Sequence, residues 1–281
     1  MLQFMLYLQK NRINFKDFRT VSFNMPNQLR EKEIVSYYNT VVQTKLHNYL
    51  YGNPRVDAAW KTILKYAPKK KQPLHILEVG CGIGSICHRM HKRWPKAQIT
   101  GLDISSKSIE IANKLFGNQH TTFVEGILTP ETFSGNFDLI IFMDVYEHIA
   151  IVDRSTVHAA IRKLLANQGR LILSVPTPHN LKWSAVYKPE TMQPVDEHIS
   201  LTVINQLALD TNTEVLLYQI KDIWNVGDYA HIIFEKNNDF EAAFFQPKPL
   251  NLSWKIVRGV KRIQDKVMGK LREMNARKKL S

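Results

Sequence analysis

The chain has few cysteines and no long apolar run. Cys81 and Cys87 are its two cysteines among 281 residues, too few to form a zinc site by themselves. Nothing in this usage requires an oxidising compartment. No segment approaches the roughly 20 apolar residues that a membrane-spanning helix needs. The apolar start, Met1 to Leu8, lacks a basic region and a small-residue cleavage site, so we expect no signal peptide and a cytoplasmic protein.

The chain has 25 acidic residues against 38 Lys and Arg, and the excess positive charge is concentrated at the C-terminal end of the sequence. From Trp254 to Ser281, ten Lys or Arg accompany two acids, which gives that segment a net charge of +8 out of the chain's +13. Apolar residues recur there every three or four positions, so we predict a basic amphipathic helix over 254–281 after a linker over 239–253. We favour a peripheral contact with the anionic inner face of a membrane. Packing on the core or on another subunit and docking on RNA phosphates are the alternatives.

The residues at 75–85 point to a ligand-binding loop. A short apolar run ends in Glu78 and is followed by glycines on alternate positions, Gly80, Gly82 and Gly84. This pattern predicts a buried strand, a loop and a helix, and the glycines let a ligand approach the main chain. Dinucleotide enzymes use G-x-G-x-x-G instead, and a serine stands here at the last glycine position. Glu78 can accept a hydrogen bond from an ammonium group and would repel a diphosphate, so we do not expect a dehydrogenase.

Three later segments have the order of strands in a parallel α/β sheet. Gln98–Asp103 predicts a second strand that ends in an acid about 20 residues past the loop, where ribose hydroxyls are bound. Thr121–Glu125 predicts a third strand. Asp138–Met143 is a continuous apolar run, as a strand buried on both faces requires, and a polar cluster follows it. With helices between them, these strands predict right-handed crossovers and a mostly parallel sheet.

Together these segments resemble the motifs of the class I S-adenosylmethionine-dependent methyltransferases, over about residues 72–236. The resemblance implies a Rossmann-like sheet of seven strands, mostly parallel, with helices on both faces and a closing antiparallel hairpin. It also implies S-adenosyl-L-methionine as the cofactor. We therefore divide the chain into an N-terminal helical extension over 1–71 and a methyltransferase core over 72–238. Within the core, we predict a loop over 177–197 that covers the site or binds the acceptor.

The family resemblance also implies contacts to the cofactor. Asp103 would bind the ribose hydroxyls and Ile104 would lie against the adenine, whereas the alternative for Asp103 is a helix cap. Gly126 and Ile127 would border the adenine. Ile127 stands where the family usually has an acid, so Glu125 or the main chain would make that contact. The loop residues implied at the cofactor are Glu78, Gly80, Cys81, Gly82 and Gly84.

A closer resemblance is to the ubiquinone-biosynthesis O-methyltransferases, through Asn53-Pro54-Arg55-Val56 and Asp144-Val145-Tyr146-Glu147-His148. It implies that Arg55 contacts the carboxylate of the cofactor, with Asp144 and Val145 at the cofactor as well. In that group an acid-x-x-Glu-His cluster can hold a divalent metal, so Asp144, Glu147 and His148 are candidate metal ligands. The group usually has Glu in place of Asp144. We favour a hydrogen-bonded turn on the site floor over a metal.

Four residues are candidates for catalysis. An alcohol acceptor must lose its proton to a histidine or carboxylate, or to a metal-assisted base. Glu147 and His148 follow the fourth strand, and Asp196 and His198 end the loop after the fifth. All lie past carboxyl ends of strands, so we expect them to converge on the acceptor. The competing interpretation is that the histidines are surface or capping residues.

The predicted function is methyl transfer to a hydroxyl of a small molecule or saccharide, by in-line displacement with a general base. No N/D-P-P-Y/W sequence follows the fourth strand, which argues against methylation of adenine or glutamine amino groups. No Pro-Cys pair occurs, so the covalent route to cytosine C5 lacks its nucleophile. The alternatives are an RNA or protein methyltransferase that docks through the basic tail and an inactive cofactor-binding module. We do not expect a nucleic acid partner.

Overall fold

A computed structural model describes residues 27–69, 72–236, 252–253, 256–257, 259–264, 266–268 and 270. Residues 1–26, residues 239–251 of the predicted linker and residues 271–281 of the predicted basic helix lie outside the described residues. The chain divides into two compact units, Met1–Asn238 and Asp239–Ser281. In the second unit, the described residues between 252 and 270 are helical. Among the described helices, none is both long and apolar enough to cross a bilayer.

The described part of the first unit contains eight α-helices. The first three precede the sheet, four lie in the connections between strands, and the eighth leads into the final pair of strands. Their bounds are α1 Asn27–Thr40, α2 Val42–Tyr51, α3 Pro54–Tyr66, α4 Ser85–Arg93, α5 Ser106–Phe116, α6 Arg154–Leu164, α7 Pro178–Tyr187 and α8 Leu201–Thr211. Short 3-10 helices follow the fourth strand at Tyr146–His148 and Ile151–Asp153, and another lies at Pro189–Thr191.

Seven strands form a single sheet in the order β3-β2-β1-β4-β5-β7-β6, which confirms the predicted Rossmann-like fold. All pairs are parallel except those of β7, which is antiparallel to both β5 and β6. The strand bounds are β1 His75–Val79, β2 Gln98–Asp103, β3 Thr121–Glu125, β4 Phe137–Met143, β5 Leu165–Pro176, β6 Thr213–Lys221 and β7 Tyr229–Lys236.

The strand order reverses at β1, because β2 lies on one side of it and β4 on the other. The chain leaves β1 at Val79, β2 at Asp103 and β4 at Met143, and these ends lie at the same edge of the sheet. In open α/β sheets, ligands bind beyond the carboxyl ends of strands at such a reversal. The fold therefore brings the predicted cofactor segments to one crevice.

Apolar residues cover both faces of the sheet, as the continuous apolar runs predicted. Leu77 and Ile140 are paired in register and belong to one buried cluster, whereas Ile76 and Leu139, one residue earlier, belong to the other. Because successive side chains of a strand point to opposite faces, each central strand contributes to two cores. This burial makes the central strands a rigid base for the loops at their ends.

Two predicted elements differ from the structure. Within the N-terminal helical extension, the sequence predicts one helix over Glu31–Leu50, but the structure has two helices, α1 and α2, which meet at Val41. Neither glycine nor proline marks this break, so no turn residue indicates it. The segment 177–197 was expected to be a loop, but most of its first half is α7. Thr177 caps that helix, because its Oγ accepts a hydrogen bond from the Asn180 amide at 3.2 Å and Pro178 occupies the first turn.

Candidate active site

The glycine loop after β1 is packed tightly against the loop after β4. Gly80, Gly82 and Gly84 have positive φ angles of 70°, 56° and 80°, which favour glycine. A Cβ atom on Gly80 would lie 2.2 Å from Cγ2 of Val145, so no larger residue fits there without movement. The amides of Gly80 and Cys81 both donate to the carbonyl of Leu102, at 2.7 and 3.0 Å. The loop is therefore fixed by the ends of two neighbouring strands.

Asp103 holds the other side of the crevice. Its carboxylate is buried and accepts hydrogen bonds from the amides of Gly82 at 2.7 Å and Ser105 at 2.9 Å. Nζ of Lys45, on α2, lies 3.7 Å from the same carboxylate. The cap of α5 is Ser105, whose Oγ accepts from Ser108, so Asp103 is not needed as the helix cap. A carboxylate has about four acceptor positions, which leaves some of them available to a ligand.

A cavity of about 600 Å³, called the first cavity below, lies over these strand ends. Asp103 and Ile104 line it from β2, and the loop after β3 adds Gly126 and Ile127. A volume of this size suits a ligand as large as a nucleoside derivative. Helices of the N-terminal extension form the opposite wall, with the side chains of Ile34, Tyr37, Tyr38, Val41, Thr44, Lys45 and Asn48.

One end of this cavity is formed by an ion pair between α3 and the loop after β4. Nε of Arg55 lies 2.7 Å from Oδ2 of Asp144, and Nη1 of Arg55 donates to the hydroxyl of Tyr229 at 3.1 Å. Asp144 has a φ of 56°, in the left-handed region that Asp tolerates better than most residues. Asn53 caps α3 and presents Arg55, because its Oδ1 accepts from the Arg55 amide.

Among the loop candidates, Gly80 lines the first cavity, whereas Glu78, Cys81, Gly82 and Gly84 are not among its described lining residues. Glu78 is 3% exposed and does not line the first cavity within the described structure. Burial raises the pKa of Glu78 to about 7, and the thiol of Cys87, which donates to its Oε2 at 2.9 Å, offsets part of the rise. Cys81 is also buried, and burial raises the pKa of its thiol. The carboxylate thus lies behind the loop and contacts the helix that follows.

His148 is held by the chain segment that precedes α8. Its Nδ1 lies 3.0 Å from Oδ1 of Asp196 and 2.7 Å from the carbonyl of Val195. Both partners accept hydrogen bonds, so Nδ1 carries the proton and Nε2 is left as the basic nitrogen. Burial alone would lower the pKa of His148, but the carboxylates of Glu147 and Asp196 outweigh it and raise that pKa. Oε1 of Glu147 is 3.7 Å from Nε2.

A second cavity, of about 570 Å³, lies beside the first. Arg55, His148 and Gln193 line both cavities, so the two share a wall. The second cavity is bounded by α7, by the 3-10 helix at Pro189–Thr191 and by the turn between β6 and β7. This geometry lets one ligand face another across His148.

The remaining catalytic candidates separate in the structure. Glu147 and Asp196 line the second cavity, next to His148. His198 is exposed and lies outside the set of described residues that line either cavity. It follows Asp196 by two residues, but its side chain is exposed whereas that of Asp196 contacts His148. Proximity in sequence therefore did not bring His198 to the site.

The candidate metal ligands have other partners. Asp144 is paired with Arg55, and His148 with Asp196. Among the described residues, no group of three or more His, Cys, Asp and Glu side chains is arranged to hold a metal ion. These contacts describe a hydrogen-bonded turn at the junction of the cavities.

Several cavity residues were not singled out from the sequence. Lys45 and Gln193 contribute polar groups, and Trp183 and Trp224 contribute aromatic walls. For Lys45 a signal existed, because Ile34, Tyr38, Val41 and Lys45 recur at helical spacing. The tryptophans lie on separate elements of the chain, and no local pattern connects them.

Comparison with known proteins identifies the family. A family model described as a methyltransferase domain matches residues 53–213, more than half of the chain. The chain belongs to the class I S-adenosylmethionine-dependent methyltransferases. S-adenosyl-L-methionine is accordingly its cofactor, as predicted. The first cavity fits this cofactor, because its wall contains the buried carboxylate of Asp103, which has acceptor positions available, and the guanidinium of Arg55.

Individual relatives of this methyltransferase differ in the acceptor that their names give. The chain is 32% identical over 106 residues to malonyl-[acyl-carrier protein] O-methyltransferase of Priestia megaterium, covering 37% of each protein. It is 28% identical over 180 residues to ubiquinone biosynthesis O-methyltransferase of Bartonella quintana, covering 54% of this chain and 67% of that one. The matched segments therefore span from about two fifths to two thirds of these relatives.

Solved structures share the fold of the methyltransferase. N-methyltransferase NodS from Bradyrhizobium japonicum, solved with S-adenosyl-L-homocysteine, superposes with a TM-score of 0.54 at 16% identity. The superposition covers 66% of this chain and 88% of NodS. At this identity the likeness concerns the fold.

Proposed function

We propose that this methyltransferase transfers the methyl group of S-adenosyl-L-methionine to a hydroxyl of a small molecule or saccharide. The observation that carries the proposal is the position of His148 at the wall shared by the two cavities, with its Nδ1 held by Asp196. In this arrangement the cofactor occupies the first cavity and the acceptor the second. Two relatives whose names specify O-methyl transfer support the choice of oxygen as the acceptor atom.

For the cofactor, we assign contacts along the first cavity. Asp103 would accept hydrogen bonds from the ribose hydroxyls, and Ile104, Gly126 and Ile127 would hold the adenine. Arg55 pairs with the carboxylate of the amino-acid part, because a guanidinium suits two carboxylate oxygens at once. Gly80 and Val145 form the floor beneath the sulfonium. Glu78 supports the loop from behind, through the hydrogen bond that it accepts from the thiol of Cys87.

For the reaction, we assign proton removal to His148. When bound, the cofactor supplies an electrophilic methyl group on sulfur, and the acceptor oxygen forms its bond to that carbon as the carbon–sulfur bond breaks. Nε2 of His148 takes the proton of the acceptor hydroxyl, and the carboxylate of Asp196 stabilises the imidazolium that forms. Oε1 of Glu147 lies 3.7 Å from Nε2, and because burial raises the pKa of Glu147 to about 8, it adds negative potential there once it is ionised. The shared wall aligns acceptor and donor, which is the larger part of the rate gain.

A screen of acceptors tests the proposal. The full chain is incubated with labelled cofactor and a panel of alcohols, phenols, saccharides, amines and RNA, and products are located by mass spectrometry. We expect an O-methyl product and at least a roughly hundredfold lower turnover in His148→Gln, with S-adenosyl-L-homocysteine affinity within twofold of wild type. His120→Ala, at the opposite edge of the sheet, is the control and keeps full turnover. Methylation of nitrogen, or full turnover in His148→Gln, would contradict the proposal.

For the second unit, we propose a peripheral contact with an anionic membrane surface. Val260, Ile263 and Val267 recur at helical spacing on described helical residues, and Lys261 and Lys266 lie between them. Such a helix places apolar side chains in the headgroup region and cations against anionic lipid. We expect co-sedimentation of the full chain with vesicles of phosphatidylglycerol but not of phosphatidylcholine. Equal recovery with both, or with neither, would contradict this contact.

A further inference from the structure

Two tryptophans face the second cavity from different elements. Trp183 lies on α7 and is 38% exposed, whereas Trp224 lies in the turn between β6 and β7 and is 53% exposed. Indole rings left in water at the wall of a cavity gain free energy when a ligand covers their faces. The cavity therefore offers flat apolar surfaces to whatever enters it.

The two walls are connected by hydrogen bonds of the backbone. Asp228 is buried, and its carboxylate accepts from the amides of Ile223, Trp224 and Asn225 at 2.9, 2.9 and 3.1 Å. Thr177, which caps α7, donates from its amide to the carbonyl of Asp228 at 2.9 Å. Trp224 is thus presented by a turn that is fixed to the start of the helix carrying Trp183. Walls held this way are preorganised for a ligand.

Neutral hydrogen-bonding groups lie among the aromatic walls. Asn180 and Ser184 are one helical turn apart on α7 and line the cavity together with Trp183. Asn225 and Gln193 line it from the turn and from the segment after the 3-10 helix. Amides and hydroxyls both donate and accept, so they suit a ligand that carries several hydroxyls.

Two of the charged groups that line this cavity are paired within the protein. Arg55 is paired with Asp144, and the carboxylate of Asp228 is occupied by three backbone amides. Nζ of Lys188 lies 5.3 Å from the centre of the Trp183 ring, in a cation–π contact. An anionic acceptor would meet the carboxylates of Glu147 and Asp196 in the same wall, and Arg55 is already shared between Asp144 and, as assigned above, the carboxylate of the cofactor. The arrangement favours a neutral ligand.

From these four observations we propose that the second cavity binds a pyranose ring of a neutral saccharide as the methyl acceptor. The ring's C–H faces lie on the indoles of Trp183 and Trp224, and its hydroxyls bond to Asn180, Ser184 and Asn225. One hydroxyl is directed to His148. This inference rests on the proposed function for the reaction itself, but the saccharide site is measurable without turnover.

Binding is tested with the full chain in the presence of S-adenosyl-L-homocysteine. Methyl pyranosides of gluco, galacto, manno and rhamno configuration are titrated by calorimetry, with catechol as the planar phenolic comparison. We expect at least one pyranoside to bind more tightly than catechol. Trp183→Ala and Asn180→Ala should each weaken that binding at least tenfold and leave the affinity for S-adenosyl-L-homocysteine within twofold. Val226→Ala, which changes a 90% exposed residue of the same turn, is the control and binds as wild type.

The outcomes separate the two proposals. If no pyranoside binds, or if Trp183→Ala binds saccharide as well as wild type does, the saccharide site is wrong. Methylation of catechol in that case would leave hydroxyl transfer standing. If a pyranoside binds through Trp183 but receives no methyl group on oxygen, the saccharide site stands and the proposed reaction is wrong. Both proposals are supported if wild type methylates a saccharide and Trp183→Ala methylates it at least tenfold more slowly at subsaturating saccharide.

Discussion

Nζ of Lys45 lies 3.7 Å from the carboxylate of Asp103, which connects the N-terminal helices to the end of β2. A second contact reinforces it, because the hydroxyl of Ser105 donates to Oδ1 of Asn39 at 2.7 Å. Helices α1 and α2 are therefore part of the cofactor cavity and not an appendage to it. A ligand in that cavity contacts the helices and the sheet together.

Cofactor binding should consequently stabilise α1 and α2. We expect S-adenosyl-L-homocysteine to slow amide hydrogen exchange over residues 34–48, because opening these helices would then also expose the ligand. Helix α8, which lies outside the described walls of the first cavity, serves as the internal reference and should exchange at an unchanged rate. Unaltered exchange over 34–48 at saturating ligand would show that these helices do not cover the cofactor.

Asp103 should dominate the affinity for the nucleoside part of the cofactor. We expect Asp103→Asn to weaken S-adenosyl-L-homocysteine binding by roughly ten- to a hundredfold, since hydrogen bonds to a charged group contribute about 1.5–3 kcal/mol. The measurement is calorimetric titration. Glu110→Gln is the control, because Glu110 is an exposed acid on α5 and lies outside the described cavity walls. Equal losses in both variants would point to a general electrostatic effect.

The pH dependence of turnover should report the pair of His148 and Asp196. Glu147 and Asp196 raise the pKa of His148, while Tyr38 and the Arg55–Asp144 pair also face the site. Because the base acts when neutral, kcat/KM should rise with pH, with its midpoint above the ordinary histidine value of 6.5. Asp196→Asn removes a charge that favours the imidazolium, so this midpoint should move to lower pH. A midpoint that stays in place in Asp196→Asn would separate Asp196 from the base.

His231 should make the fold less stable in acid. It is fully buried on β7, its Nδ1 lies 2.7 Å from Oγ1 of Thr62 on α3, and burial together with Lys221 lowers its pKa to about 4. Between about pH 6.5 and 4 the unfolded chain binds a proton that the folded chain does not, so stability falls as pH falls through that window. At pH 5 this costs on the order of 2 kcal/mol relative to pH 7.5.

His231→Gln isolates that contribution. Urea unfolding at pH 7.5 and pH 5 is compared between the variant and wild type, because other groups titrate in both. We expect wild type to lose about 2 kcal/mol more than the variant over this interval. Equal losses in the two proteins would mean that His231 is protonated in the folded chain at pH 5.

The cofactor side of the molecule was predictable because its signals are local. An apolar run, an acid and alternating glycines occur within a few residues, and such a pattern defines a strand, a loop and a helix wherever it occurs. Asp103 could be located because it ends the next strand along the chain. For Glu78 the structure adds a partner that the sequence did not indicate, the thiol of Cys87, while its predicted contact with the cofactor stays a prediction.

The second cavity was less predictable because it is assembled from distant segments. Trp183 and Trp224 line the same cavity because β7 lies antiparallel between β5 and β6, which brings the turn between β6 and β7 beside α7. The choice between His148 and His198 likewise depends on which side chain the chain directs inward, and both follow carboxyl ends of strands. The helix α7 was missed although Thr177 and Pro178 are a recognisable start, because the adjacent prolines suggested a loop.

The wall formed jointly by Arg55, His148 and Gln193 has a thermodynamic consequence. A ligand in one cavity restricts the same three side chains that form part of the wall of the other cavity. Linkage then requires reciprocity, so that the factor by which the donor alters acceptor affinity equals the factor by which the acceptor alters donor affinity. The two cavities, which share this wall, thus act as one coupled binding unit.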